Sequence, residues 1–310
     1  MYWDYDGLWQ KAKLYAQRAM ASDRDDSMFP FWATLSLEFL ARATLSKVNP
    51  CLLADPKEGS NMLYACGFAS TNPPVSINAK TVFLRCQRIV SNFTQVEYDF
   101  SMALVQRRNE ELHTASAAFE DFPTRLWLAK FFRVCNLLLA AQGRSLEDVF
   151  GPVESRAARE MIDADEKRVK KQALDLISAA TKVFEAKQKE NLPTERKEFL
   201  TWFAQKAPRW SKLATCPACG EQCLTVGEHV RSSEPRLEEN EIIQEVSVLP
   251  TQMWCPFCLL QLGTHALLHG ADLGGQYSIT ETRDPVEFHG IEIEDYLDPA
   301  HRYEEEYGND

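Results

Sequence analysis

The sequence predicts a mainly α chain: a helical body followed by a small domain of short β-strands held by four cysteines. Three observations carry this. Apolar residues recur at helical spacing through most of the first 200 positions. Two Cys-x2-Cys pairs follow, in CPACG at 216–220 and CPFC at 255–258. Beyond Pro208 the texture also shifts to glycines, cysteines and the alternating run EIIQEVSVLP, which is a strand pattern. The expected domains are a helical one over 1–208, a cysteine-held one over 209–285 and an acidic tail over 286–310.

The first helix spans about 5–22, with Leu8, Ala12, Tyr15 and Ala19 on one face. Ser27 is the expected cap of the second, with Pro30 in its first turn, and FWATLSLEFLARATLSKV is apolar nearly all round, which predicts a central buried helix. NPCLLADPKEGS reads as a loop. Short helices at about 60–69 and 79–91 are separated by TNPP, because proline offers no amide donor. From Gln95 to Phe119, Val96, Phe100, Ala103, Leu104, Leu112 and Ala115 suggest a buried helix. Pro123 opens the next, TRLWLAKFFRVCNLLLAAQG, closed by its glycine. A long charged helix over about 152–189 shows a solvated face, and PTERKEFLTWFAQKAP supplies one more.

With 45% hydrophobic and 25% charged residues, the chain has the composition of a soluble globular protein. No apolar run reaches the roughly 18 residues of a membrane span, and MYWDYDGLWQ lacks the order of a secretory signal, so a cytoplasmic protein with no membrane partner is expected. The net charge of −11 is uneven. Residues 232–310 hold 17 acidic and 3 basic side chains, a net of −14, which leaves the body before them at +3. A general basic footprint for nucleic acid is excluded, while local contacts through Arg85, Arg88, Arg107 and Arg125 remain open. The acidic C-terminal region reads as solvated disorder or as a site for a regulatory protein partner.

Cys216, Cys219, Cys255 and Cys258 have the spacing of a four-thiolate metal site, since two tight Cys-x2-Cys turns supply two sulfurs each to one tetrahedral ion. The pattern resembles a zinc ribbon, and the expected cofactor is a structural Zn2+. Such a site has no open coordination position, so it holds the fold and performs no hydrolysis. Cys223 reads either as a substitute ligand or, preferred, as a small buried hydrophobe, and His265 with His269, at a spacing that can bind metal, reads better as the polar face of a helix.

RRNEELHT at 107–114 places Arg108, Asn109 and His113 in a helix otherwise read as core. A bare Arg followed by a His at this distance arises about once by chance in a chain of this composition. RDPVEFH, with Arg283 and His289, is one such match, set aside because of its proline and its strand-rich surroundings. The stricter pattern, Arg-Asn-x3-His within a helix, resembles the signature of the HEPN superfamily of RNA-cleaving helical proteins. On the second helix, Phe31, Leu35, Glu38, Arg42 and Leu45 share a stripe, so an acid–base pair interrupts an apolar face. Unpaired, those charges would cost several kcal/mol to bury. A structural salt bridge is one reading, and Glu38 orienting the Arg108 guanidinium or the imidazole is the other.

The resemblance implies a HEPN-like helical bundle, an RNA substrate, a metal-independent endoribonuclease using Arg108, His113, Asn109 and Glu38, and a toxin or phage-defence role. In that chemistry the 2′-hydroxyl attacks the adjacent phosphate. A histidine moves protons, an arginine fork holds the phosphate oxygens, and Asn109 fixes a tautomer or the phosphate. Five residues at about 100° each set Arg108 roughly 140° round the helix from His113, so a homodimer that pools two copies is expected. The alternative is a non-catalytic module that binds nucleic acid or a partner protein.

Overall fold

The computed structural model describes residues 2–70, 72–120, 122–187 and 190–290. These fall into two compact units, one ending at Arg168 and the other beginning at Val169.

The first unit is helical. Helix α1 (Tyr5–Ala21) is capped by Asp4, whose carboxylate accepts from the Gly7 amide. Helix α2 (Met28–Val48) is buried on most of its circumference, as its composition requires. Ala12, Ala16 and Ala19 of α1 and Ala33, Leu37, Leu40 and Ala41 of α2 are all in one core. The polar residues of α2 are satisfied locally or across to neighbours: Ser36 donates to the Ala12 carbonyl (2.9 Å) and Ser46 to that of Trp3 (2.6 Å). Ser27 makes no capping bond. The Met28 amide instead donates to the Asp26 carboxylate, so the start of α2 is fixed one residue earlier than the sequence suggests.

The expected loop after α2 contains a 3-10 turn, Pro50–Leu53, and leads to α3 (Gly59–Ala65) and α4 (Ala79–Ile89). Helix α5 (Gln95–His113) opens with a capping box between Thr94 and Glu97. A 3-10 turn, Thr124–Leu126, precedes α6 (Leu128–Ala141), which Gly143 ends in the left-handed conformation that suits glycine (φ 66°). The long helix α7 (Leu146–Ala186) is broken at Gly151, where φ 78° and ψ 171° precede Pro152. It begins in the first unit and ends in the second.

In the second unit α8 (Leu192–Lys206) precedes a six-stranded antiparallel sheet: β1 (Ser211–Thr215), β2 (Gln222–Ser232), β3 (Arg236–Glu238), β4 (Glu241–Trp254), β5 (Gln261–Leu262) and β6 (Tyr277–Arg283). Helix α9 (His265–Gly270) lies before β6 and α10 (Pro285–His289) after it. β4 is the spine, with β2 and then β3 paired along one edge and β5 and β6 along the other. Ala180 of α7 and Leu192 and Phe199 of α8 share a core with Leu224, Met253, Phe257 and the cysteines, which is why these helical residues belong with the sheet rather than with the first helices.

The expectation of a mainly α chain, a HEPN-like bundle plus a small ribbon of short strands, is overturned. The described residues are 57% helical and 15% strand, and their curled sheet rests on a 14-residue strand paired on both edges, so the fold is α+β. Pro250 hid that strand. It sits opposite Gly227 at a register shift, where a missing amide breaks no ladder bond, so β4 runs on through the proline that seemed to end it. Of the proposed tail, Val286–His289 belong to α10, and 291–310 lie outside the described residues.

Candidate functional site

In the first unit α5 carries Arg108, Asn109 and His113, and α2 carries Glu38 and Arg42. Glu97, Ser101, Leu104 and Val105 form the buried face of α5, and Arg108 continues that stripe by one helical turn. The stripe read from the sequence is corrected here, because Val96 and Leu112 are exposed and the true inner face is partly polar. Arg108 thereby faces the protein. Its Nη1 donates to Glu38 Oε2 at 2.6 Å, while Nε and Nη2 donate to Asn109 Oδ1 at 3.2 and 2.9 Å.

Glu38 Oε1 accepts from Arg42 Nε and Nη2 at 3.0 and 2.8 Å. The Arg42 guanidinium also reaches Ser76 Oγ (3.3 Å) and the Ile77 carbonyl (3.1 Å). One carboxylate with a side chain 9% exposed thus holds two guanidinium groups at 13% and 14%. The triad has a formal charge of +1 in a poorly hydrated place.

His113 is the last residue of α5 and is exposed, and its imidazole has no hydrogen bond or ion pair with another described residue. One chain therefore brings Arg108, Asn109 and Glu38 together but leaves His113 on the outer face, as the angular offset requires. Arg107 and Arg85 are occupied structurally. Arg107 donates to the Ala118 carbonyl (2.8 Å) and lies over the Phe122 ring, and Arg85 donates to the Leu52 carbonyl. Arg88 and Arg125 are exposed. Arg283 ends β6 while His289 ends the short helix that Pro285 opens, so RDPVEFH is helical only from its proline onward and its Arg and His lie on different elements.

In the second unit the four expected cysteines converge. Their sulfurs all lie within 4.8 Å of one another, with Cys216 to Cys258 at 3.5 Å and Cys219 to Cys255 at 3.6 Å. Four sulfurs bound at about 2.3 Å round one tetrahedral ion would stand about 3.8 Å apart, so this arrangement can hold a metal ion. Two tight turns build it. The Gly220 amide bonds the Cys216 carbonyl with Gly220 at φ 76°, and the Cys255 amide bonds the Leu260 carbonyl with Leu259 at φ 61°.

The Cys216 thiol is held well below its ordinary range, first by the adjacent Cys223 and Cys255 side chains and then by the Ala218 and Cys219 amides. Cys255 and Cys223 are pushed up, first by the Cys216 side chain beside them and then by burial, and Cys219 is pushed up to about 12 by burial. A cation among the four would favour thiolate on each. Cys223 is fully buried and its thiol reaches the Ala214 carbonyl, as expected of a packing residue.

Comparison with family models, curated proteins and solved structures gave no match. The two clusters therefore stand on their geometry. Among the described residues, no helix is long and apolar enough to cross a membrane. Sequence reasoning did not single out Ser76 and Ile77, whose contacts to Arg42 come from a loop with no motif, nor the pair Cys51 and Cys66.

Proposed function

We propose that the protein is a metal-independent endoribonuclease in which Arg108 and His113 act on RNA and Glu38 and Asn109 position the guanidinium. The observation that carries this is the charge of the Glu38–Arg42–Arg108 triad. Two guanidinium groups share one carboxylate in partial burial, a net positive charge that an anion would offset, and a phosphodiester supplies one with oxygens that fit a guanidinium fork. The exposed imidazole at the end of the same helix is the proton carrier, taking the 2′-hydroxyl proton or protonating the leaving oxygen. The reading includes a homodimer, in which the outer His113 of one copy reaches the Arg108 region of the other, and host or phage RNA as substrate.

One observation favours a second reading, a non-catalytic binding module. All three guanidinium nitrogens of Arg108 already have partners within the chain, as in a purely structural bridge. Incubating full-length protein with RNA in EDTA separates the two. Cleavage leaving 2′,3′-cyclic phosphate ends, abolished by His113→Ala with unchanged circular dichroism, supports the enzyme. Intact RNA under all conditions from a monomeric protein leaves the binding module.

For the cysteine cluster we propose structural zinc, on the donor set of four thiolates and the lack of an open position. Elemental analysis should return one zinc per chain, and cobalt substitution should give intense thiolate-to-metal absorption. Iron or no metal in freshly purified protein would overturn it.

A further inference from the structure

Cys51 and Cys66 lie outside both clusters, and their sulfurs are 3.4 Å apart. Cys51 sits in the 3-10 turn after α2, and Cys66 is the C-cap of α3 and is exposed. A disulfide bond is about 2.05 Å long, so joining them requires the sulfurs to close by about 1.4 Å, within the reach of side-chain rotation. We propose that Cys51 and Cys66 form a reversible dithiol–disulfide pair that reacts with low-molecular-weight disulfides such as oxidised glutathione and clamps the segment bearing Ser76 and Ile77.

The reaction balances with that co-reactant alone. The Cys66 thiolate, on the open side, attacks one sulfur of the small disulfide, whose S–S bond breaks and releases one thiolate. Cys51 then attacks Cys66 Sγ and expels the second. The two cysteines lose two electrons and two protons, and the small disulfide becomes two thiols. Cys51 holds its proton more tightly than an ordinary thiol, first because it hydrogen-bonds to Cys66 and then because it is desolvated, which makes Cys66 the attacking partner. Cys86 and Cys135 are fully buried in the helical core with their thiols pushed up by burial, and stay out of this chemistry.

The clamp has a defined object. The Ile77 amide bonds the Leu53 carbonyl (2.9 Å), the Asp55 amide bonds that of Val75 (3.0 Å), and Ala54 pairs with Ser76. Buried Asn61 of α3 ties the same pieces together, accepting from the Val75 amide (2.9 Å) and donating to the Asp55 carbonyl (3.1 Å). Joining Cys51 to Cys66 holds Leu53, Ala54, Asp55 and Asn61 in one closed loop, and because these are the groups that bond Val75, Ser76 and Ile77, it restricts the opening of those bonds. Ser76 and Ile77 in turn hold Arg42, which holds Glu38 and through it Arg108. Only an effect of the clamp on RNA cleavage would rest on the ribonuclease reading.

The test uses the full chain in reduced and oxidised glutathione buffers, followed by alkylation, peptide mass spectrometry and hydrogen exchange. In the oxidised buffer Cys51 and Cys66 should escape alkylation together in one cross-linked pair, and exchange of the Asp55 and Ile77 amides should slow by roughly tenfold or more. Cys66→Ser should leave Cys51 as a mixed glutathione disulfide at most, with exchange as in the reduced parent. Mixed disulfides without a cross-link, or a cross-link without added protection, overturn the proposal. Both readouts are independent of RNA cleavage, so failure of the enzyme assay leaves them intact and their failure leaves the enzyme assay intact.

Discussion

Replacing Glu38 by alanine isolates the role of the one carboxylate between two guanidinium groups. The substitution removes the acceptor for three hydrogen bonds, two from Arg42 and one from Arg108, in a site whose three side chains are 9 to 14% exposed. Breaking a buried ion pair by removing one partner costs about 3–5 kcal/mol, because the charge left behind is unpaired. Here two charges are left, each with some residual partner, so about 4 kcal/mol is expected. For a unit of this size each kcal/mol moves the midpoint by about 2–4 °C, so its unfolding should fall by roughly 8–16 °C.

Thermal unfolding of the full chain, followed by calorimetry to separate the transitions of the two units, measures this shift. Two comparisons sharpen it. Arg108→Ala should cost less than Glu38→Ala, because Glu38 and Arg42 remain paired. A triple variant combining Glu38→Leu, Arg42→Met and Arg108→Met should come close to the parent, since an apolar replacement leaves no orphaned charge. A Glu38→Ala midpoint within about 2 °C of the parent, or an Arg108→Ala loss exceeding it, would refute the reasoning.

Three further outcomes concern the second unit. A Cβ on Gly227 would lie 2.3 Å from the Leu249 carbonyl oxygen and 2.5 Å from Val248 Cγ1, so Gly227→Ala should destabilise the sheet by about 1–3 kcal/mol or more, read from urea unfolding. Glu281 is held down at about 2, first by the Arg209 side chain and also by Arg283 and the Trp210 indole. A depressed carboxylate stabilises the fold above its unfolded value near 4.5, and that contribution is lost as pH falls from there through about 2. An acid-unfolding series should therefore show a shallower pH dependence for Glu281→Gln than for the parent, and identical slopes would remove Glu281 from the account. Finally, a strong chelator with a thiol reductant should unfold the sheet and its core around Cys216–Cys258 while the first unit's transition stays in place, because a four-thiolate ion contributes folding free energy directly; an unchanged second transition would exclude a structural metal.

What was legible in the sequence follows from how local the cause is. The helices α1, α2, α4 and α6 show themselves through apolar spacing, and the cysteine cluster through Cys-x2-Cys repeats, because in both the signal lies within a few residues. The acid–base pair on α2 was legible as a break in an apolar stripe, and its contact with Arg108 follows from the need to pair buried charge. The inner face of α5 was not legible. Glu97 and Ser101 are buried there because Glu97 closes the capping box and pairs with Arg133 and Ser101 donates to the Glu97 carbonyl, so polarity and burial coincide where composition predicts the opposite. The length of β4 was hidden by a proline that sits beside a bulge, at Thr251, which shows only in the pairing with β2. Cys51 and Cys66, 15 residues apart, carry no motif and meet only through the turn between them.

The position of Arg108 on α5 also constrains any use of the motif. Residues 97, 101, 104 and 105 fix the inward direction of the helix, and Arg108 extends it, so its guanidinium is committed to Glu38. His113 lies in the final turn, roughly 140° round the helix from Arg108 and next to exposed Leu112. Rotating the helix to bring the imidazole inward would expose Leu104 and Val105 and strip Glu38 of one partner, at a cost of several kcal/mol. A single copy therefore presents the cation and the proton carrier on different surfaces. On the proposed reading the missing group must come from a second copy, which predicts that Arg108→Ala and His113→Ala proteins, each inactive alone, recover RNA cleavage when mixed. Failure of such a mixture, with heterodimers demonstrated by mass, would exclude the shared site while leaving the Glu38 triad and the cysteine cluster as they are.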